Sequence, residues 1–411
     1  MSTFNGIVRE IPNISIDRFD GFNLRSTVFF LSHCHADHMQ GLFTNNFLAH
    51  LKKDNVFLYC SDLSYHILMN TPIKEVKESV KIVSFLMETI IEVLPSEHYS
   101  QPQNITVTAI PAGHCPGSIM FMFEGVCGRI LYTGDIRIME GDIKKMKQLL
   151  NCDGSAKSIE TLYLDTTFLD TSYEYFPPRK NSAESLCKLI SDWISQSSEH
   201  YVHIVTAAKH GSEYLFVEIF KSLKIKVHVN FDHFILYQNI PEVEPAITAS
   251  SGLSQVHACG VQGEPCRFLE GKKKQGLVRT IKPSAMWFRN RQKSDDTVIE
   301  SRERISFKVA YSCHSSLSEL ADIIEFLQPK KIVPCVIPPN ANKNDFKIFL
   351  RSFHQSLKQE RSLLCEMKNR EEISRSEFKR LQSEEQPCNR NKPEVNKNAS
   401  SPPHKTSRFN T

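Results

Sequence analysis

The sequence predicts an α/β protein, because segments with strand character alternate with segments of helical periodicity. Six short apolar runs, rich in β-branched and aromatic residues, each end just before a His or Asp. Helical patterns of apolar residues lie between them, over 183–194, 213–223 and 318–327. This alternation is typical of α/β architectures, and it indicates which ends of the strands carry function.

Each strand-like run delivers one candidate functional residue just beyond its C-terminal end. The runs are 14–16, 28–31, 105–110, 130–132, 162–164 and 309–311, and they precede Asp17, His33, His114, Asp135, Asp165 and His314 in that order. Histidines that merely fill a core would not be expected to follow strands so regularly. The pattern therefore favours one shared site at the strand ends.

Composition excludes several classes of protein. No run approaches 18 apolar residues without charges, so we expect no transmembrane span, and the N-terminus has no secretory pattern. Twelve cysteines in such a chain favour a reducing compartment. Residues 366–411 hold ten basic and seven acidic side chains, which leaves 40 basic and 39 acidic side chains in the rest of the chain. We therefore expect the folded part to be almost neutral. Any nucleic-acid interface must therefore come from local clustering.

The segment from His33 to His38 packs three imidazoles and one carboxylate into six residues. Imidazole nitrogen and carboxylate oxygen suit zinc and related divalent ions. His33 and His35 lie two apart, so an extended loop can direct both to one ion, while Asp37 and His38 face a second. The segment predicts a metal centre.

Two distant residues are candidates for further ligands. His114 lies in a Pro- and Gly-rich loop, 111–118, that can bend sharply around a metal, and Asp135 ends the Thr-Gly-Asp segment after another strand. A single His or Asp in such a place is more often structural. Here the flanking sequence favours a ligand in both cases.

The HxHxDH, GHCPGS and TGD segments together resemble the metallo-β-lactamase fold, in its β-CASP nucleic-acid-processing branch. The resemblance implies an αββα sandwich with an inserted α/β domain. It implies that His33, His35 and His114 hold a first ion, that Asp37 and His38 hold a second, and that Asp135 bridges them. It implies zinc at one or both positions, with Mg or Mn as a possible second ion. Two such ions would activate a water and clamp a phosphodiester.

The further motifs of this branch also match. They fall at Asp165, at His314 and at Val336, and a valine at the last position goes with DNA-processing members. The resemblance gives His314 the role of a proton donor or an additional ligand near the second ion. Asp17 could orient a metal-binding histidine, and a turn or cap carboxylate is its alternative role.

A second metal site is predicted from His228, His257, Cys259 and Cys266. Two imidazoles and two thiolates satisfy a tetrahedral structural zinc, although these ligands are spread over 39 residues. The resemblance to the DNA-repair members of the branch, which have such a site in the inserted domain, favours a structural zinc over packing.

The stretch 272–293 is basic, contains no acidic residue and includes Trp287, which suits phosphate contacts and base stacking. A solvated loop with one buried Trp is the alternative. The predicted nucleic-acid contacts are Lys209, Lys272, Lys273, Lys274, Arg279, Lys282, Ser284, Trp287, Arg289 and Arg291.

We divide the chain into four segments on these grounds. Residues 1–155 form the first part of the metallo-β-lactamase domain, 156–310 the β-CASP insertion and 311–365 the return segment, and 366–411 a disordered basic tail.

The resemblance implies a metal-dependent DNA nuclease. It would be a structure-selective endonuclease for hairpins, overhangs and single-strand/double-strand junctions, with possible 5′-exonuclease activity, and the repair branch implies break repair by non-homologous end joining in the nucleus. A DNA-end-bound kinase and a ligase complex are the implied partners of a monomer. The alternatives are an RNA endonuclease of the cleavage-factor type, a small-molecule hydrolase and a non-catalytic DNA-end-binding scaffold. Val336, the large insertion and the complete ligand set disfavour these three, respectively.

Overall fold

The computed structural model describes residues 2–95, 101–206, 210–238, 240–260, 264–301, 305–338, 341–359 and 362. Residues 1–358 form one compact unit and 359–411 a second. The predicted disordered tail, 366–411, lies outside the described residues. None of the described helices is long and apolar enough to cross a membrane.

Two β-sheets form the centre of the sandwich. A four-stranded parallel sheet has the order β1-β2-β3-β4, with strands Ile14–Ile16, Val28–Leu31, Phe57–Cys60 and Val80–Ile82. A six-stranded mixed sheet has the order β17-β9-β8-β7-β6-β5, with β5 to β9 at Glu88–Val93, Gln103–Pro111, Ile119–Gly125, Gly128–Tyr132 and Thr161–Leu164 and β17 at Lys331–Pro334.

The two sheets pack face to face with helices outside. Ile16 and Phe30 of the small sheet share one buried core with Val107, Phe121 and Tyr132 of the large sheet. Helices α1 (Asn45–Leu51) and α2 (Asp62–Leu68) cover the outer face of the small sheet, whereas α7 (Leu317–Leu327) and a helix over 343–359 cover the large one. The predicted αββα sandwich is confirmed.

A third sheet has seven strands in the order β12-β11-β13-β10-β14-β16-β15, parallel except for β15. Its core is separate from that of the sandwich. Its strands β10 to β16 are Tyr201–Ile204, Val227–His228, Ile247–Thr248, Val256–His257, Val278–Pro283, Val298–Glu300 and Ser306–Val309. Its helices α3 to α6 are Arg179–Ile194, Glu213–Leu223, Phe231–Tyr237 and Arg267–Lys274.

One predicted segment boundary needs correction. The sequence placed the start of the insertion at residue 156, but β9 follows at Thr161–Leu164 and is hydrogen-bonded between β8 and β17 of the large sheet. A strand paired on both sides belongs to that sheet. We therefore propose that the inserted part begins after β9, and we keep the other boundaries as proposals.

Candidate metal centre

The predicted ligands lie where several strands end. The His33–His38 segment follows β2, His114 follows β6, Asp135 follows β8 and Asp165 follows β9. Because the sandwich brings these strand ends to one edge, residues separated by more than 100 positions meet. Donor atoms of His33, His35, His114 and Asp135 all lie within 4.8 Å of one another.

The first cluster has the spacing of a metal site. His35 Nδ1 lies 3.0 Å from both His33 Nε2 and His114 Nε2, and Asp135 Oδ2 lies 3.7 and 3.6 Å from those two nitrogens. A tetrahedral zinc with Zn–N bonds of about 2.0–2.1 Å keeps its nitrogen ligands roughly 3.3 Å apart. Burial lowers the pKa of His33 and of His114 well below its ordinary value, so both imidazoles are neutral and able to coordinate. The residues therefore fit one divalent ion.

A second position lies beside the first, around His38. Its Nε2 atom is buried and has no hydrogen-bond partner among the described residues, although Asp135 Oδ1 lies 3.2 Å away and Asp37 Oδ2 lies 4.0 Å away. Burial opposes the charged imidazole, but the carboxylates of Asp135 and Asp17 raise the pKa of His38 well above its ordinary value. An orphaned nitrogen facing two carboxylates is the donor set that a second divalent ion would complete.

Asp17 holds His38 in this orientation. Its Oδ2 atom accepts hydrogen bonds from the Tyr132 hydroxyl (2.8 Å) and the Ser32 hydroxyl (2.6 Å) and lies 2.8 Å from His38 Nδ1, while its Oδ1 accepts from the Ser32 amide (2.7 Å). Such a partner fixes the tautomer and leaves Nε2 for the metal. The predicted orienting role fits this geometry better than a turn or cap.

His314 and Asp165 form a pair above the metal ligands. His314 Nδ1 lies 2.8 Å from Asp165 Oδ2, and His314 Nε2 lies 3.9 Å from Asp135 Oδ2. Burial opposes the charge of His314, but Asp165 and Asp135 raise its pKa. Asp165 also accepts hydrogen bonds from the amides of Ile136 and Thr167. Its lone pairs are thus used within the protein, so Asp165 orients His314.

An open cavity of about 260 Å³ gives access to this centre. Its lining includes Asp37, His314, Ser284 and Val336, which come from both the sandwich and the inserted part. The Val336 backbone is held at both ends, because its amide donates to the Thr166 hydroxyl (3.2 Å) and its carbonyl accepts from that hydroxyl. Its apolar side chain lines the cavity beside the proposed metal ligands.

A buried hydrogen-bond network behind His35 was not predicted from the amino-acid pattern. His35 Nε2 lies 3.2 Å from the carbonyl oxygen of His210. The ring nitrogen Nδ1 of His210 lies 2.5 Å from the Tyr237 hydroxyl. That hydroxyl donates to the buried carboxylate of Glu213, which also accepts from the Gly211 amide (2.6 Å). The one available sign was an acidic residue at the first position of an apolar helix.

Two arginines, also missed, brace the ligand loops through carbonyl groups. Arg137 Nη1 donates to the carbonyl of His314 (3.0 Å), and Arg179 Nη2 donates to that of His114 (3.1 Å). Arg137 is buried and is paired with Glu319 at 3.1 Å. Arg137 follows Asp135 by two positions, and a charged residue so near a ligand was the only sign of this role.

The four residues of the second predicted site also converge. The parallel pairing of β11 with β13 sets His228 beside His257, with 3.0 Å between their Nδ1 atoms. The Sγ atoms of Cys259 and Cys266 lie 3.8 and 3.7 Å from His257 Nδ1. Burial lowers the pKa of His257 to about 4 and raises that of Cys259 to about 12. Burying a thiol this way disfavours the thiolate, and a bound cation would reverse that preference.

Three of the predicted nucleic-acid contacts are engaged within the protein. Lys272 and Lys274 form ion pairs with glutamates. Arg279 Nη1 donates to the carbonyl of Leu189 (2.8 Å), and the guanidinium lies 4.8 Å from the ring centroid of Trp193. This packing stabilises the inserted sheet, and we therefore do not retain Arg279 as a phosphate contact.

The other predicted contacts are placed differently. Ser284 lines the active-site cavity, and Trp287 is flanked by Lys282 at 5.8 Å and by Lys308, which the sequence did not single out, at 3.2 Å from its ring centroid. Lys273 and Arg289 are exposed and Arg291 is half-buried, whereas Lys209 lies outside the described residues.

The fold and the site agree with the class of protein that the comparisons indicate: the chain is similar to DNA-repair proteins of the metallo-β-lactamase type. Residues 241–340 match the model described as "DNA repair metallo-beta-lactamase", and residues 21–165 match "Anti-Pycsar protein Apyc1".

Among individual proteins, the chain is similar to protein artemis. It is 36% identical to the rat protein, over 87% of this chain and 52% of that protein, and 38% identical to the human protein, over 82% and 50%. It is also 30% identical to the 5′ exonuclease Apollo of rat, over 81% and 55%. The chain thus spans about half the length of the curated relatives it matches.

Proposed function

We propose that this protein is a metal-dependent DNA nuclease acting in DNA repair. The observation that carries the proposal is the double donor set: three converging imidazoles on one side of Asp135 and the orphaned His38 Nε2 on the other. A pair of adjacent divalent ions is a common means of cleaving phosphodiesters. The names of its relatives, artemis and a 5′ exonuclease, support the same activity.

We propose zinc at the first position and zinc, Mg or Mn at the second. Two such ions would lower the pKa of a bound water and would bind the phosphodiester oxygens. His33, His35, His114 and Asp135 would hold the first ion. Asp37 and His38, with Asp135 shared, would hold the second. The protein's own part is to orient these ligands through Asp17 and through the carbonyl groups of the neighbouring loops.

His314 is proposed to deliver the proton to the leaving oxygen. Its Nδ1 is held by Asp165, and its Nε2 faces the cavity near Asp135. A carboxylate behind an imidazole stabilises the protonated form, which is the form that a general acid requires. Asp165 is a positioning residue in this scheme.

DNA is proposed as the substrate because Val336 forms an apolar wall where RNA-processing members of the branch usually have histidine. We propose structure-selective endonuclease action on hairpins, overhangs and single-strand/double-strand junctions, with possible 5′-exonuclease activity. We further propose a nuclear role in non-homologous end joining, with a DNA-end-bound kinase and a ligase complex as partners.

The inserted site is proposed to hold one structural zinc. Its four donors lie within 4.8 Å of one another, and tetrahedral Cys₂His₂ sites are closed and stabilise the fold. Its donors lie on β11, on β13 and the loop after it, and at the start of α6, and β11 and β13 have only two residues each. A metal would cross-link these short segments.

The decisive experiment compares the wild-type protein with Asp135→Asn on labelled hairpin, 3′-overhang, 5′-overhang and single-stranded DNA, with RNA of the same sequence in parallel. We expect cleavage of DNA and a loss of at least about 10³-fold in the variant, because Asp135 is shared between both ions. Equal cleavage by the variant would assign the activity to a contaminant. Preferential cleavage of RNA would favour the RNA endonuclease, and binding without cleavage under Zn, Mg and Mn would favour the scaffold.

A further inference from the structure

A second cavity, here called the edge cavity, lies at the outer strand of the large sheet. Its volume is about 310 Å³, and it is bounded by the segment 3–9, by β17 and by the helix over 343–359. None of the predicted metal ligands or nucleic-acid contacts lines it. Its chemistry is therefore independent of the residues used so far.

The lining of the edge cavity is strongly cationic. It holds five basic side chains and no acidic one: Arg9, Lys331, Lys343, Lys347 and Arg351. Lys331 is paired with Glu10 at 3.0 Å, whereas the other four make no ion pair among the described residues, and all five are exposed.

The helix over 343–359 supplies three of these cations at a spacing of four residues, at Lys343, Lys347 and Arg351. A rise of 1.5 Å per residue sets them about 6 Å apart along one face. Like charges at this spacing destabilise a helix. A row of unpaired cations therefore has an energetic cost in the free protein, and a polyanion lying along the row would remove it.

The floor of the cavity is apolar and partly aromatic. Phe4 and Tyr163 meet edge to face, with 5.4 Å between ring centroids, and Val333 and Leu350 complete the surface. Both rings are buried, with Phe4 9% and Tyr163 2% exposed, so they close the floor, and the exposed cationic rim is the part that suits the phosphates of a nucleic acid strand. A cavity of this size is at the lower end of the range for small-ligand sites.

The edge cavity borders the active site directly. Ser2 and Val336 line the active-site cavity, and their neighbours Thr3 and Ile337 line the edge cavity. The Thr3 amide donates to the Cys335 carbonyl (2.9 Å), and the Ile337 amide donates to the Thr3 hydroxyl (3.0 Å). One thin layer of paired backbone therefore separates the two cavities.

We propose that the edge cavity binds the single-stranded arm of the DNA substrate next to the cleavage position, with its phosphates on Lys343, Lys347 and Arg351. The inference rests on the proposed nuclease function and adds the path of one strand. A free nucleotide offers the same phosphate, but the position of the edge cavity beside the active site favours a strand long enough to reach from one cavity to the other.

The test uses the full chain with the triple substitution Lys343→Gln, Lys347→Gln and Arg351→Gln, which keeps helix propensity. The matched control is Lys188→Gln, Lys224→Gln and Lys226→Gln, which removes the same charge from exposed positions of the inserted part. Two duplexes are compared, one with a ten-nucleotide single-stranded arm and one with a two-nucleotide arm. Binding is followed by fluorescence anisotropy across a salt series, and cleavage is measured on the same duplexes.

We expect the triple variant to bind the long-armed duplex at least about tenfold more weakly, with the slope of log K against log salt reduced by about 2, because each single-strand phosphate contact contributes roughly 0.7. The short-armed duplex and the control variant should behave like the wild type. Equal effects on both duplexes, or none on either while the wild type cleaves, would overturn the inference. A third outcome would also overturn it: the wild type binds dAMP tightly, the triple variant does not, and both bind the long-armed duplex equally well. A wild type that neither binds nor cleaves DNA would instead refute the proposed function.

Discussion

Asp17 illustrates how one residue can support the proposed metal centre by holding a ligand in place. Its backbone has φ 55°, in the left-handed region that residues other than glycine rarely adopt. That conformation turns the carboxylate back over Ser32 and His38, where it makes four polar contacts. Strained backbone of this kind persists where the surroundings specify it, and here they specify the orientation of a proposed ligand.

His203 is a buried histidine whose ring lacks hydrogen-bond partners among the described residues. It is 1% exposed. Burial, and secondarily the charge of Lys273, lower its pKa to about 4. An imidazole of this kind stays neutral in the folded protein at pH 7 but would take up a proton after unfolding in mild acid.

This gives a prediction of pH dependence. The pKa of His203 in the folded protein lies below the ordinary value of 6.5, so the unfolded chain binds the proton first, and stability falls as the pH falls from about 6.5 to about 4. His203→Phe should remove this part of the acid sensitivity and leave stability at pH 7.5 undiminished, since no hydrogen bond is lost. Urea unfolding at pH 7.5 and pH 5.0 measures both. An identical pH dependence in wild type and variant would contradict the assignment.

At the scale of elements, α7 connects the helix layer of the sandwich to the active site. It begins at Leu317, three residues after His314, and its N-cap Ser316 and Glu319 form a capping box. Glu319 also pairs with Arg137, which donates to the carbonyl of His314. The start of this helix therefore fixes the loop that carries the proposed proton donor.

Removing the cap tests that link. Ser316→Ala should reduce the free energy of unfolding by about 1 kcal/mol, because the Glu319 amide loses its acceptor. Ser316→Asp, which retains an acceptor at the same position, should lose much less. Chemical denaturation of both variants makes the comparison. Equal losses would show that the hydroxyl acts through its buried packing.

At the scale of the whole molecule, two cores must be stabilised separately. The sandwich has cores between its sheets and helices, and the inserted sheet has a buried core of its own, which includes Val227, Ile247 and Val256. Three strands of the inserted sheet have only two residues each, and the site of His228, His257, Cys259 and Cys266 lies among them. We expect a metal there to contribute to folding of the inserted part more than to catalysis.

Cys259→Ser should therefore lower the zinc content by one ion per chain and lower the melting temperature, while the active-site metals remain. Elemental analysis and thermal denaturation measure the two effects. Cys187→Ser is the matched control, since that thiol lies in α3 away from either metal cluster, and it should keep its zinc. An unchanged zinc content in Cys259→Ser would exclude the proposed structural site.

Much of the framework around the site could be predicted from the amino-acid sequence. Five of the six runs that precede ligand-type residues form strands, whereas the run 309–311 overlaps β16 at Val309 alone. Periodicity predicted α3, α4 and α7 to within a few residues. These features are local, because a strand, a helix or a chelating loop is encoded by neighbouring residues. The boundary at residue 156 was misplaced because strand pairing between β9 and β17 joins segments 170 positions apart.

The groups that support the ligands from behind could be identified from the three-dimensional structure alone. His210, Tyr237 and Glu213 support His35 from the inserted part, and Arg137 holds the His314 loop through a backbone carbonyl. It also decided that Arg279 packs within the protein and that unpaired cations gather around the edge cavity. Backbone acceptors and long-range packing leave no periodic or compositional trace in a sequence. They are set by where the sheets place distant segments, and that placement follows from the packing of the whole chain.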